Sequence, residues 1–336
     1  MSKTNGETRK VFITGGAGFL GSAFTARLLA TPHISKITIF DRNANDPALS
    51  KLKSDDNRIA LVAGDLKVPK TLTEAMMGHD TLIHLASNAN ISLAEKQPTI
   101  DFEEGTLLTQ LAIEAARIAG LSKILYASGS GVYGNRGTQR MQEADGQLHP
   151  ISTYGASKLA GESLISAYCN MFDMTGIAFR FANIVGAGQT HGIALDFVEK
   201  LMRNPSSLDI LGDGNQTKSY ISVDDVFDAV WLANQKCTKN FDVYNVASAD
   251  EISVKEIAQI CIEEVLPPNA KVDLKFSGGA GGWKGDVPTV RLNCDKIRAL
   301  GFTAKLSSSD AIRSAVRGIL HSKKLKTSGQ RAINRI

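Results

Sequence analysis

The segment Thr14-Gly15-Gly16-Ala17-Gly18-Phe19-Leu20-Gly21 constrains this chain more than any other. It follows a short apolar run, Val11–Thr14, and opens a stretch with helical spacing, Phe19–Ala30, that stops before Pro32. A strand that turns through glycines straight into a helix aims free backbone N–H groups at one point, which suits an anion. Gly15 permits the tight turn, Gly18 lets the backbone approach a pyrophosphate, and Gly21 lets the helix pack close to the sheet. Phe19 and Leu20 open the helix beside that pyrophosphate. Asp41 ends the next apolar run 20 residues after Gly21. A carboxylate there accepts hydrogen bonds from the adenosine ribose and repels a 2′-phosphate, so the pattern predicts NAD rather than NADP. Arg42 follows at once and pulls the other way.

The rest of the first half repeats this alternation. Short apolar runs at Ile37–Phe40, Ile59–Ala63, Thr81–Leu85, Lys123–Ala127 and Ile177–Phe181 are separated by helical stretches near Lys70–Met77, Gly105–Ala119 and Thr153–Phe172. This predicts an α/β fold: a doubly wound parallel sheet of the Rossmann type, covered on both faces. Ligands bind at the carboxyl ends of such strands, which nominates Asp65 and Leu66 after the third and Leu85, Ala86 and Ser87 after the fourth. After about Gly186 the elements become shorter and mixed, with a glycine-rich loop at Gly278–Gly282. The expected organisation is an NAD-binding domain at 1–185, a smaller mixed α/β substrate domain at 186–322 fed in part by the sixth strand's neighbourhood, and a basic tail at 323–336.

Tyr154-Gly155-Ala156-Ser157-Lys158 puts a phenol and an ammonium four residues apart on a predicted helix, so both project from one face. A free phenol with a pKa near 10 is a poor base at neutral pH. A nearby ammonium and the positive ring of an oxidised nicotinamide favour the phenolate, which can take a hydroxyl proton while hydride leaves the same carbon.

Composition narrows the partners. The net charge of +4 owes much to Lys323, Lys324, Lys326, Arg331 and Arg335 in a terminus expected to be frayed and solvated; without them the body carries 33 basic against 34 acidic residues. No nucleic-acid partner is expected. Nor is a membrane partner, since no apolar run is long enough to span one. The polar N-terminus lacks the apolar core of a signal peptide, so a cytoplasmic protein is expected. Cys169, Cys237, Cys261 and Cys294 form no CxxC pair, and the six histidines show no metal-binding spacing, so free thiols and no metal are expected.

With these residues in hand, the chain resembles the extended short-chain dehydrogenase/reductase family, NAD-dependent epimerase/dehydratase type, and within it the UDP-galactose 4-epimerases. The pieces that carry the resemblance are Thr14–Gly21, Val132-Tyr133-Gly134, Tyr154–Lys158, Arg180-Phe181-Ala182-Asn183, His191-Gly192-Ile193, Leu211-Gly212-Asp213-Gly214 and Trp283-Lys284-Gly285-Asp286-Val287. It implies that Ala182 lies against the cofactor, that Asn183 and Lys218 bind the substrate diphosphate, and that Asp286 contacts the nucleotide ribose. It implies a homodimer joined through the helices near Gly105–Ala119 and Thr153–Phe172.

The chain also departs from that pattern. Gly129 stands where the family carries a catalytic Ser or Thr; Ser128 and Ser130 flank it, and either could supply the hydroxyl. Gly105 replaces a larger residue in many relatives, and the two glycines are expected to leave room at the sugar end. The implied activity is interconversion of UDP-hexoses at C4 through a transient 4-keto sugar. The competing readings are an NAD(P)H-dependent nucleotide-ketosugar reductase and a catalytically impaired NAD-binding scaffold. Ser130 and Gly131, where dehydratases of this type need an Asp-Glu pair, argue against dehydration.

Overall fold

Seven short strands, apolar on both faces, can avoid water only inside a covered sheet, and they form one. The structure, a computed structural model, describes residues 9–279 and 285–333; Trp283 and Lys284 lie outside the described residues. The strands are β1 (Arg9–Thr14), β2 (Ile34–Asp41), β3 (Ile59–Ala63), β4 (Thr81–His84), β5 (Lys123–Gly129) and β6 (Thr175–Phe181), followed along the chain by β7 (Asn183–Val185), β8 (Ser207–Ile210), β9 (Thr217–Lys218), β10 (Tyr220–Ser222) and β11 (Phe241–Val246). The large sheet runs β11-β6-β5-β4-β1-β2-β3, every pair parallel. The order reverses between β1 and β4, where Thr14 lies in register with His84. A crevice opens at such a reversal, at the carboxyl ends of the two strands.

Side chains alternate across β1: Val11 and Ile13 join one core, Phe12 the other. On the first face α1 (Phe19–Leu29) buries Phe24 and Leu28. On the second, α3 (Pro69–Met76), α4 (Leu107–Ile118) and α5 (Thr153–Met171) cover Phe12, Phe40, Leu82, Ile124 and Tyr126. The short α2 (Pro47–Asp55) precedes β3. Each fully buried Phe or Leu contributes about 1.5–3 kcal/mol of transfer free energy, so both faces are needed to hold the sheet.

A third core gathers α6 (Ile193–Arg203), β8, β10, α8 (Val254–Val265) and, beyond the short α9 (Asp295–Ala299), α10 (Ser308–Ile333) around Phe197, Leu201, Leu208, Ile257, Ile312 and Val316. By contrast α7 (Val223–Lys236) packs Phe227 edge-on against Phe24 of α1, ring centroids 5.2 Å apart, and β11 pairs with β6. Residues 223–246 therefore return to the large sheet from within the stretch expected to form the smaller domain. α10 continues into the segment expected to be a frayed tail; the basic side chains beyond Lys323 lie outside the described residues.

Candidate active site

The glycine loop is built as a cradle. Gly15 has φ +71°, and a β-carbon on it would lie 2.7 Å from Ala86 N. On Gly21 it would lie 2.6 Å from Gly15 O, and on Gly18 3.2 Å from the same oxygen. Gly18 leads into α1, whose N-terminus has no side-chain cap and no acidic residue in the first turn. Its N–H groups are thus offered to an anion. Asp41 closes the loop: one carboxylate oxygen accepts from Ala17 N at 3.1 Å and the other from Asn43 N at 2.9 Å. Each oxygen keeps a lone pair for a ribose hydroxyl.

A cavity of about 100 Å³ lies beside the loop, lined by Gly15, Asp41, Arg42, Asp65, Leu66, Ala86, Ser87, Glu104 and Leu108. Seven of these nine are residues nominated from the sequence. Leu85 is half-buried at the end of β4, Phe19 and Leu20 open α1, and the Phe19 ring packs near Gly186. Glu104 and Leu108 were not legible beforehand, because they come from the next helical segment. Glu104 answers the doubt over Arg42: its carboxylate accepts from Arg42 at 3.0 Å and from Lys67 at 2.6 Å, so the guanidinium is already engaged by an anion. The cradle, the uncapped helix and the free lone pairs of Asp41 fit NAD.

The Tyr154–Lys158 pair stands at the same edge of the sheet. Ser152 caps α5 by accepting from Gly155 N at 3.1 Å, which fixes the turn carrying Tyr154. Lys158 is buried and donates to the Ala127 carbonyl at 2.8 Å; its Nζ lies 5.4 Å from the Tyr154 ring centroid and 5.3 Å from that of Tyr126. Burial pushes the Tyr154 phenol up to about 12, and the Asp101 carboxylate adds to the rise. Burial brings Lys158 down to about 8, with Asp101 opposing. Among the chain's own groups, loss of water therefore sets the direction at Tyr154, and the lowering expected from Lys158 does not emerge.

The flanking serines separate. Ser128 donates to Glu162 Oε1 at 2.5 Å, and Glu162 in turn holds Arg180 through Nε at 3.0 Å and Nη2 at 2.8 Å, all deeply buried. Its hydroxyl is committed to that ion pair. Ser130 is half-buried at the start of a 3₁₀ turn, Ser130–Tyr133. Between them Gly129 is extended (φ −161°), and a β-carbon on it would meet only Tyr154 Cε1, at 3.9 Å. Gly105 differs: a β-carbon there would collide with Ser157 Oγ. The space expected at Gly105 is filled by Ser157, and only Gly129 opens room beside the phenol.

Ala182 is buried where β6 ends, and Asn183 begins β7, its amide donating to Ser219 O at 3.5 Å. β7 pairs with β10, so Asn183 faces Tyr220 in register. Two residues before Tyr220, Lys218 donates to Asp286 Oδ1 at 2.5 Å. Two of the residues assigned to the substrate are thus joined across 68 positions of sequence.

Asp101 had no sequence signal. It is 1% exposed and accepts from Asn88 Nδ2 at 2.8 Å and from Thr153 Oγ1 at 2.7 Å. His84, stacked on Tyr126, is also buried; burial, assisted by the charge of Lys158, pushes it down to about 3, so it is neutral. Among the described residues no cluster of His, Cys, Asp and Glu could hold a metal ion, the four cysteines are free, and no helix is long and apolar enough to cross a membrane.

Known proteins share this architecture. The UDP-glucose 4-epimerase of Mycolicibacterium smegmatis is 30% identical over 74% of this chain and 80% of its own length. A crystal structure of a UDP-galactose 4-epimerase superposes with a TM-score of 0.81 at 29% identity, covering 94% of this chain and 99% of that one. The complex of MoeE5 with UDP-glucuronic acid and NAD superposes with a TM-score of 0.79 at 26% identity, covering 93% and 99%. The profile of the NAD dependent epimerase/dehydratase family matches residues 11–247, and this chain belongs to that family.

Proposed function

We propose that the chain is a UDP-hexose 4-epimerase. The observation that carries the reading is the meeting of the NAD cradle and the Tyr154–Lys158 pair at one edge of one sheet, with the Lys218–Asp286 pair reached through Asn183 and Tyr220. The relatives named above, all acting on or holding UDP-sugars by their names, support it. Bound NAD supplies a hydride acceptor and donor at the sugar carbon. The chain's own residues do the rest. Asp41 holds the adenosine ribose, and Gly15, Gly18 and the first turn of α1 hold the pyrophosphate. Tyr154 Oη takes the proton of the 4-hydroxyl and later returns it. Lys158 orients that phenol from beneath, and Ser130 supplies the neighbouring hydroxyl that Ser128 cannot. Asn183 and Lys218 take the diphosphate and Asp286 the nucleotide ribose, within a substrate region drawn from 186–322. The exposed Ile118, Met171 and Phe172 at the ends of α4 and α5 support a homodimer through these helices, and the free thiols support a cytoplasmic setting.

The test is direct. Protein purified without added cofactor is denatured and the released NAD identified. The native preparation is incubated with UDP-glucose, UDP-galactose and their N-acetyl forms, and products are followed by NMR. Released NAD with interconversion of one pair supports the epimerase. Bound NAD with no interconversion of any pair overturns it.

A further inference from the structure

A buried carboxylate with two side-chain donors and no part in the chemistry above calls for an account. Asp101 sits where three parts of the site converge. Asn88, which donates to one of its oxygens, belongs to the segment leaving β4 past Ser87, on the wall of the cofactor cavity. Thr153, which donates to the other, is the first residue of α5 and precedes Tyr154. Asp101 itself precedes a single π-turn, Phe102–Thr106, that carries Glu104 into the cavity and leads into α4. Such turns recur at functional sites because they displace side chains from the regular helical path.

We propose that Asp101 is a positioning residue of the reaction: through Thr153 it fixes the turn that bears Tyr154, and its charge acts on the Tyr154–Lys158 pair which that turn carries. The proposal rests on the epimerase reading for its chemistry, but not for its geometry. The other ionisable groups around the pair are committed elsewhere. Glu162 is held by Arg180 and Ser128, His84 is neutral, and Tyr126 lies beneath Lys158. Asp101 opposes burial at Lys158 and adds to it at Tyr154, so it holds a proton on both groups. Removing its charge while keeping its shape should release both protons at lower pH.

Asp101→Asn meets that condition. Its carbonyl can still accept from Asn88 and its amide can donate to Thr153, so the contacts survive and the charge does not. Thr153→Val is the complement: it cuts the tie to α5 and leaves the charge. Both are made in the full chain with its bound cofactor. The first readout needs no substrate. The protein carries six tyrosines, and in ¹³C-tyrosine-labelled protein the Tyr154 resonance is assigned by its loss in Tyr154→Phe. Its titration midpoint should fall by at least about half a pH unit in Asp101→Asn and stay in place in Thr153→Val. The second readout is turnover. The pH–rate profile of Asp101→Asn should slide to lower pH as a whole, and Thr153→Val should lose roughly tenfold in kcat with KM unchanged. An unmoved Tyr154 midpoint in Asp101→Asn overturns the proposal. If Asp101→Asn does not fold, Thr153→Val decides: unchanged kcat overturns it. If the wild type interconverts no UDP-sugar, the epimerase reading fails, and the Tyr154 midpoint still decides the role of Asp101.

Discussion

The two ends of the site are held by different means. At the cofactor end, backbone does the holding. Gly15 has a left-handed φ and backs onto Ala86, and Gly21 backs onto Gly15, so no side chain fits at either position. At the reacting end, side chains do the holding: Ser128, Glu162 and Arg180 lock β5 to α5 and β6, while Asp101 ties α5 to the segment after β4. Gly129, in the middle of this second region, is required neither by its φ nor by its neighbours. A glycine that geometry demands marks a fixed frame. One that geometry does not demand marks space kept for whatever lies in front of Tyr154.

That contrast can be broken in several ways, beginning with the largest effect. Tyr154→Phe removes one oxygen from the reacting end and nothing from the cradle; interconversion should fall about 10³-fold, while NAD released on denaturation stays equimolar with protein. Loss of NAD from this variant would mean that the two ends are not independent. Gly15→Ala does the reverse. The left-handed backbone and the contact with Ala86 should cost about 3 kcal/mol, roughly a 10²-fold loss of cofactor affinity measured by calorimetry. Turnover should return at saturating NAD.

A buried group under the reacting end gives a pH test. His84 is neutral in the folded protein, with its pKa about 3, and near 6.5 when unfolded. Its folded value is depressed, so the stability it contributes is present above pH 6.5 and is lost as pH falls below that, when only the unfolded chain takes up the proton. His79, also lowered by burial, adds in the same direction. Between pH 6.5 and 5 the loss at His84 should be about 2 kcal/mol, read from urea midpoints, and His84→Gln should flatten most of the slope. The smallest effect belongs to Gly129→Ala. It should leave folding stability within about 1 kcal/mol and change only the relative turnover of sugar substrates; a large loss of stability would show that Gly129 belongs to the frame after all.

The same division explains what could be read in advance. The cradle was legible because its demands are local: a strand, a turn that needs glycine, a helix, and a carboxylate at the next strand end all lie within about thirty residues. Tyr154 and Lys158 were legible because i, i+4 spacing is a property of one helix. Asp101 was not, since its partners lie 13 and 52 positions away and nothing in Ile100–Phe102 marks it. The direction of Ser128 was open because a glycine on each side of Ser130 hid the strand's alternation, and the filling of Gly105 by Ser157 depends on how two helices pack. The return of 223–246 to the large sheet is not legible in the sequence for a related reason. A strand reads the same in sequence whichever sheet it joins, and only the pairing of β11 with β6 decides.

That pairing has a consequence for synthesis on the ribosome. The sheet is finished by a strand made some sixty residues after its neighbour. Until Val246 has cleared the exit tunnel, β6 shows an open row of amides and carbonyls, the kind of edge through which nascent chains stick to one another. A fragment cut after Val185 would keep the whole glycine cradle and still be prone to aggregate. Adding residues only to Val246 would supply the missing partner strand.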